Sequence, residues 1–381
     1  MHGKVVAIDG ARKRSLTYYE RWMKREGVPV VEGFAVTDVR GLQLKPWKRL
    51  GCDGAYLQFR GLEGITGVYV GRLAPGLSTE PERHLYEKII YILQGEGVAE
   101  IQQRDCVPQT LQWQTGSLFS PPMNALHRLI NYSNAPALFL AVTTAPMALD
   151  HYHNEQFIFN SDFSFNDRYD GEPGYFEPSD ERYLASHNRQ WIWETNFIPD
   201  VRQARIDAQK QKGTGVNLTQ FEISNNTLIG QLAESPVGRY HKAHFHCGGA
   251  VLVVLRSQGY SLMWPNHLGT RPYEDGRGDQ VVRVDWQPGS VFSAPTNWFH
   301  QHFNTGSGPA LQLALRCSSQ KFPIGIRAGA LRAGIGTSVK EGGTLIEYED
   351  EDPAIRPNYE AELAKKGIEP DMNYDVAANN D

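Results

Sequence analysis

The sequence predicts an all-β protein built from two similar barrels with a few peripheral helices, and two observations carry that expectation. The first is an internal repeat. Residues 113–138 read WQTGSLFSPPMNALHRLINYSNAPAL, and residues 286–311 read WQPGSVFSAPTNWFHQHFNTGSGPAL. Trp113, Gly116, Ser117, Phe119, Ser120, Pro122, Asn124, His127, Asn131 and Pro136 match Trp286, Gly289, Ser290, Phe292, Ser293, Pro295, Asn297, His300, Asn304 and Pro309, every pair 173 positions apart. Chance does not give ten identities at one offset, and so long a period indicates duplicated domains rather than a solenoid. The second observation is the texture of the chain. KIIYILQG, GVAEIQQR, ALFLAVTT, AVLVVLRS, GYSLMW, QVVRVDW and ALQLALR are short and rich in branched or aromatic residues. Gly, Pro and Asn punctuate them, as they do strands. Two such sets suggest two small antiparallel sandwiches or barrels.

Taken in order, residues 1–64 read as an N-terminal arm with a helix over YYERWMKREG (18–27). Residues 65–149 form the first barrel. Residues 150–224 are aromatic and polar without clear period and read as an interdomain connection, with a helix over DVRQARIDAQKQKG (200–213). Residues 225–318 form the second barrel. Residues 319–381 form an acidic tail with a helix over NYEAELAKKG (358–367), and its EYEDEDP run reads as a solvated face. A weaker repeat pairs HLYEKIIYILQGEG (84–97) with HFHCGGAVLVVLRSQG (244–259), 162 positions apart when His84 is set on His246. The second copy therefore carries eleven more residues between its motifs, assigned to a longer loop near PNHLGTRPYEDGRGDQ (265–280).

Composition narrows the function classes. With 381 residues, 40% hydrophobic and 21% charged, the chain is in the range of a soluble two-domain protein. A net charge of -5 gives no reason to expect nucleic acid or an anionic membrane as partner. The first residues, MHGKVVAIDGARKRS, lack the apolar stretch of a secretory signal, and the longest aliphatic run, Ala250 to Leu255, is too short to span a bilayer. Cys52, Cys106, Cys247 and Cys317 show no CxxC spacing and read as reduced thiols, so a cytoplasmic location is expected. Phosphate-loop, nucleophile-elbow, HExxH and dinucleotide motifs are absent. A small-molecule substrate is the expected partner, and the arm is a plausible contact for a homo-oligomer.

The chemistry gathers around histidines. His244 and His246 are two apart, so on a strand they point to one face. His300, in PTNWFHQHFN, follows a tight turn made by Pro295 and Asn297 that returns the next strand beside that pair. Three neutral imidazoles suit Fe(II), Mn(II), Co(II), Ni(II), Cu(II) or Zn(II), not Ca(II) or Mg(II). His241 and His302 flank the cluster. His302 shares a strand face with His300 and reads as a pocket base or fourth ligand, with an exposed turn residue as the plain alternative. His151, His153 and His187 read as packed or hydrogen-bonded histidines, Cys247 as a core residue.

These motifs resemble those of the cupin superfamily, G(x)5HxH(x)3–4E(x)6G and G(x)5PxG(x)2H(x)3N. Gly289, Pro295, His300 and Asn304 stand at the spacings of the second motif, as do Gly116, Pro122, His127 and Asn131, with Asn297 and Asn124 in the usual glycine slot. The resemblance covers roughly residues 65–145 and 225–318 and implies two double-stranded β-helix, jelly-roll-like barrels: a bicupin. In the C-terminal copy the glutamate slot holds Ala250, which leaves a site of His244, His246 and His300. In the N-terminal copy HxH becomes Glu82 and His84, and the glutamate slot holds Lys88, with Glu87 before it. A lysine there brings positive charge into the metal's shell, so the N-terminal barrel is expected to be metal-free. A shifted arrangement of Glu82, His84, Glu87 and His127 is the alternative.

The lost glutamate leaves the ion its full double charge and frees positions for an anionic, bidentate ligand and for dioxygen. The main expectation is therefore a non-haem Fe(II) dioxygenase cleaving a small aromatic hydroxy acid, catechol-like or dicarbonyl compound. The resemblance is to the gentisate, salicylate and hydroxynaphthoate dioxygenase-like cupins, although in those the metal belongs to the N-terminal barrel. His302 and Arg239 are candidate catalytic residues, and Gln231, Trp298 and Arg316 candidate substrate contacts. The alternative is a non-oxidative isomerase, decarboxylase or lyase on a small carboxylate, using Mn, Ni or Zn as Lewis acid. A third reading is a non-catalytic small-ligand-binding module.

Overall fold

Residues 15–184, 191–207, 213, 215–323 and 336–372 are described in this structure, a computed structural model. Each half of the chain pairs one large sheet with one of three strands. In the N-terminal half the large sheet runs Val30–Gly33, Cys52–Phe59, Gly67–Leu73, Ala137–Thr143, Lys88–Gln94, Leu118–Phe119 and Phe197–Ile198, with Lys45–Trp47 on the second strand. Leu126–Ile130, Glu96–Gln102 and Gln109–Gln114 close that barrel. The C-terminal large sheet runs Glu181–Leu184, Trp191–Thr195, Asn217–Ile223, Leu228–Ser235, Ala310–Cys317, Ala250–Arg256, Val291–Ala294 and Ala35–Val36. Val282–Trp286, Gly259–Pro265 and Trp298–Asn304 face it. The all-β, two-barrel expectation holds.

The period-2 alternation of strands gives each large sheet two apolar faces. Ala250, Leu252 and Val254 point into the C-terminal barrel, whereas Val251 and Val253 join a second core with Ile89, Tyr91, Val70 and Leu140 of the other barrel. The barrels therefore share one apolar layer between their large sheets, which explains why segments such as AVLVVL read as continuous apolar runs.

The barrels also exchange edge strands. Phe197–Ile198, in the expected connection, pairs with Leu118–Phe119 of the N-terminal barrel, and Ala35–Val36, in the expected arm, pairs with Val291 and Phe292 of the C-terminal barrel. Just beyond, Val201 N–H donates to the Gly116 carbonyl and Val39 N–H to the Gly289 carbonyl, each at 3.0 Å. Asp200–Arg202 and Asp38–Arg40 form matching ion pairs over these two glycines. At Gly116, with φ of +96°, an added Cβ would lie 2.3 Å from the Asp200 carboxylate, so both the conformation and the space demand glycine. The tripeptide DVR at 38–40 and 200–202 thus extends the 162-residue repeat upstream of the motifs.

The helices differ in part from expectation. Tyr18–Arg25 is helical, started by a capping box between Thr17 and Glu20, and Ile355–Ala364 forms the tail helix. Residues 200–207 are turns and irregular backbone, because Asp200 and Val201 belong to the clamp just described; 208–212 lie outside the described residues, as does His187. Helix Ala145–Tyr152 straddles the expected end of the first barrel, and Glu155–Asn160 lies in the expected connection. His153 stacks on Tyr18 and His151 meets the Tyr152 ring edge-on, both at exposed positions.

The tail corrects another expectation. Within EYEDEDP, Glu351 and Asp352 are buried. Asp352 accepts from the Tyr273, Glu274 and Ala354 N–H groups, and Tyr240 and Gln301 donate to Glu351. Ile346, Ile355, Tyr359 and Leu363 supply the apolar reason, packing on Tyr240, Tyr260 and Phe303 of the C-terminal barrel. No described helix is long and apolar enough to cross a membrane.

Candidate metal centre

A short antiparallel bridge sets the histidines. His244 N–H donates to the His300 carbonyl at 3.2 Å and His300 N–H to the His244 carbonyl at 2.9 Å, which places both side chains on one face. The turn that leads from Val291–Ala294 into Trp298–Asn304 has positive φ at 297; Asn297, at +59°, adopts it and donates its N–H to the His246 carbonyl. The ring centres of His244 and His246 lie 4.4 and 4.8 Å from that of His300, and the three ligand atoms lie within 4.8 Å of one another.

Wiring behind the rings fixes their donors. His244 Nδ1 lies 3.0 Å from the Lys242 carbonyl and His300 Nδ1 lies 3.1 Å from the Trp298 carbonyl. A carbonyl only accepts, so the proton sits on Nδ1 and the Nε2 lone pair turns to the centre, the arrangement in which histidine binds metal. The three imidazoles fit a first-row divalent ion.

Beside them lies a cavity of about 20 Å³. Its walls are Ala233, Ala250, Ala294 and Ala314, with Gln231, Gln312, His241, His302 and Arg316 among the polar lining. Arg316 is buried and donates from Nη2 to the Gln231 side-chain oxygen at 2.7 Å, so both expected substrate contacts face the histidines together. His302 has a wired ring too. Trp286 Nε1–H donates to Ser261 Oγ at 3.0 Å, and Ser261 Oγ lies 2.7 Å from His302 Nδ1. Trp286, Ser261 and the His302 ring thus form one hydrogen-bonded chain.

Two expected contacts are corrected. Arg239 does not line the cavity: it pairs with Asp371 of the tail at 2.8 Å. The Trp298 ring packs against Phe34, 5.6 Å between centres, and only its carbonyl serves the site. Ser261 and Trp286 were missed as site residues, although WQPGS already stood out in the repeat.

The N-terminal barrel holds the duplicate of this site. Glu82, His84 and His127 bring ligand atoms within 4.8 Å of one another. Glu87 is not part of it; it turns outward, accepting from Thr227 N–H and Oγ1, Leu228 N–H and Arg168 across the barrel junction. Lys88 lies in the middle, donating to Glu82 and standing 3.1 Å from His127 Nε2. Burial opposes ionisation of Glu82, yet Lys88 and Arg49 hold its carboxyl well below the usual range. Burial and Lys88 push His127 down to about 4 and His84 well below its ordinary value, so both rings are neutral.

Strand pairing aligns the two interiors residue by residue. Tyr69 opposes Ala141 as Gln231 opposes Ala314, and Ala99 opposes Leu129 as Ser261 opposes His302. On this register Tyr69, Phe139, Lys88 and Leu129 fill the N-terminal barrel where Gln231, Gln312, Ala250 and His302 line the C-terminal cavity. Gly71 makes room for the Phe139 ring, 2.3 Å from where its Cβ would be; its counterpart is Ala233.

Residues 69–143 match the family described as Cupin domain. No curated protein sequence matches the chain. Among solved structures, an oxalate decarboxylase is 14% identical, with 82% of this chain and 86% of that one covered and a TM-score of 0.48. A tryptophan-to-tyrosine variant of oxalate decarboxylase from Bacillus subtilis is 16% identical, with coverages of 75% and 77% and a TM-score of 0.47. Vicilin from Corylus avellana (hazelnut) is 11% identical, with coverages of 74% and 85% and a TM-score of 0.45.

Proposed function

We propose that this chain, which belongs to the cupin superfamily as a bicupin, is a metal-dependent enzyme that acts on a small carboxylate without net oxidation, as a decarboxylase, isomerase or lyase. One observation carries the reading: the cavity beside His244, His246 and His300 is about 20 Å³ and is walled by alanines around a buried guanidinium. That space is the size of one or two waters. So narrow a space favours the most compact acids over an aromatic hydroxy acid. The dioxygenase reading loses ground for that reason, and the non-oxidative alternative gains it.

The residues divide the work. Arg316 offers a planar, permanently charged fork to a substrate carboxylate, and Gln231 holds that fork in place. His302 faces the cavity with a ring held by Ser261 and Trp286, placed to exchange a proton with the substrate. The alanines leave the room, and the apolar walls exclude water, which strengthens each polar contact. His244, His246 and His300 would hold the ion, which when bound supplies Lewis acidity toward a carboxylate or carbonyl oxygen. The N-terminal barrel, filled by Tyr69, Phe139, Lys88 and Leu129, takes no part in the chemistry.

The test is a screen of two- and three-carbon keto, hydroxy and dicarboxylic acids against protein reconstituted with Mn(II), Fe(II), Ni(II) or Zn(II). Product is followed by proton NMR while an electrode follows oxygen. Turnover without oxygen uptake, abolished in the His244→Ala, His246→Ala variant, is expected. Stoichiometric oxygen consumption with an aromatic acid would return the weight to the dioxygenase.

A further inference from the structure

We propose that the N-terminal barrel retains a metal-ligand set, Glu82, His84 and His127, whose centre is occupied by the ammonium of Lys88, so that Lys88 alone keeps a second metal ion out of this chain. The inference concerns the barrel that the proposed reaction does not use.

The ligand set is wired for metal, not merely clustered. His84 Nδ1 lies 2.8 Å from the Tyr86 carbonyl and His127 Nδ1 lies 3.0 Å from the Ala125 carbonyl, so both rings keep their proton on Nδ1 and aim an Nε2 lone pair inward. This is the same arrangement that His300 has with the Trp298 carbonyl, 173 positions on. His84 Nε2 is moreover buried without a hydrogen-bond partner: the Lys88 ammonium bonds Glu82 and lies against His127 but leaves this inward acceptor unmet.

The position they converge on is filled by a charge of the chain itself. Lys88 is 1% exposed, and its ammonium donates to Glu82 and lies 3.1 Å from His127 Nε2. Arg49 gives Glu82 a second cationic partner at 2.9 Å. A divalent ion placed among these groups would meet a fixed positive charge at contact distance inside a buried site, where Coulomb repulsion is strong. Steric exclusion acts in the same direction, since Lys88 begins its strand at the position where Ala250 leaves the C-terminal cavity open. Without the lysine, what remains is two histidines and one carboxylate, a set that takes Fe(II), Mn(II) or Zn(II).

Metal content decides the matter. Full-length protein is stripped with chelator, loaded with cobalt(II) chloride, desalted and assayed for cobalt per chain, with the visible cobalt spectrum and thermal unfolding alongside. Lys88→Ala is expected to bind one more cobalt than the wild type, and Lys88→Ala, His84→Ala to lose that extra ion. Cobalt should also raise the unfolding temperature of Lys88→Ala more than that of the wild type. The readout is a difference between chains, so it stands whether or not the C-terminal histidines bind the ion. Should Lys88→Ala fold poorly, Lys88→Gln and the His244→Ala, His246→Ala variant with Lys88 intact serve instead. The latter should hold no cobalt. A cobalt retained there, or a folded Lys88→Ala with no extra ion, overturns the proposal.

Discussion

Lys88 and Ala250 open equivalent strands of the two barrels, and what each side chain does at that position separates a filled barrel from one with a cavity. The duplicated fold acts as its own control. Backbone pairing, the turn asparagines at 124 and 297 with φ near +60°, and the carbonyls behind the rings are shared. The interior side chains are not. Where one copy spends its volume on Tyr69 and Phe139, the other keeps Gln231 and Gln312 beside small alanines. Selection for packing alone gives no reason to line a barrel with glutamines, histidines and an arginine, because each buried polar group there has to find a partner.

Ser261→Ala should leave the fold intact and change the state of His302. The N-terminal barrel shows the structural cost to be small: there Ala99 takes the serine's position and Trp113 Nε1 is buried with no hydrogen-bond partner. A loss of about 1 kcal/mol in stability is expected. Nitrogen-15 NMR of the histidine ring should show a shifted Nδ1 signal, and turnover should fall roughly tenfold or more, since positioned proton-transfer groups contribute on that scale. Unchanged ring shifts with unchanged turnover would sink this role for the Trp286–Ser261–His302 chain.

Arg316→Lys tests the carboxylate fork. It keeps the charge but loses the planar, two-pronged geometry, and Gln231 loses its 2.7 Å partner. Charge-assisted contacts of this kind are worth about 1.5–3 kcal/mol, so a small carboxylate should bind roughly ten- to hundredfold more weakly. Calorimetric titration of wild type and variant with the same acid measures it. Equal affinities would mean that the guanidinium faces the cavity without recognising anything in it.

Much of this was legible in the sequence and the remainder was hidden for identifiable reasons. His244, His246 and His300 stand at fixed spacings, and a strand's period of two converts spacing into a shared face. Lys88 was legible for the same reason, being at the glutamate slot. Arg239 misled because nearness in sequence to His241 says nothing about its partner: Asp371 lies 132 positions away. The acidic tail misled because composition described its surface, whereas Ile346, Ile355 and Tyr359, spread between the charges, decide that it docks. The edge-strand exchange could have been read from the repeated DVR, but three residues at a second offset do not stand out until the 162-residue register is extended upstream.

The same tail predicts a pH dependence. Glu351 is buried, and that burial raises its carboxyl to about 7, against the contacts from Tyr240 and Gln301. An unfolded glutamate releases its proton near 4.5, so between that pH and about 7 the folded state holds more protons than the unfolded one. Its stabilising contribution is therefore complete below about 4.5, declines as pH rises, and is gone above about 7, a change of about 3 kcal/mol at most. Glu351→Gln keeps a neutral side chain at every pH. Its unfolding temperature should match the wild type near pH 5 and exceed it near pH 8; parallel curves would rule out Glu351 as the source.

Neither barrel should fold alone, despite the apparent domain boundary near residue 150. A fragment of residues 1–150 lacks Phe197–Ile198, the edge strand on Leu118–Phe119, and with it the Val201 to Gly116 hydrogen bond and the Asp200–Arg202 clamp. It also exposes the apolar layer that Val70, Ile89, Tyr91, Leu138, Leu140 and Val142 now share with Val251, Val253, Leu313 and Leu315. Burial of one such side chain is worth about 1.5–3 kcal/mol, so losing six removes about 10 kcal/mol or more, as much as a typical domain's whole stability. The fragment is expected to aggregate or to lack a cooperative thermal transition, and co-expression with residues 151–381 to restore a soluble complex. A soluble fragment that melts cooperatively by itself would show that the exchanged strands decorate two independent domains. The expected failure would instead mean that the C-terminal barrel keeps its filled twin as a structural half, which accounts for a duplicated interior filled with aromatics and closed by Lys88.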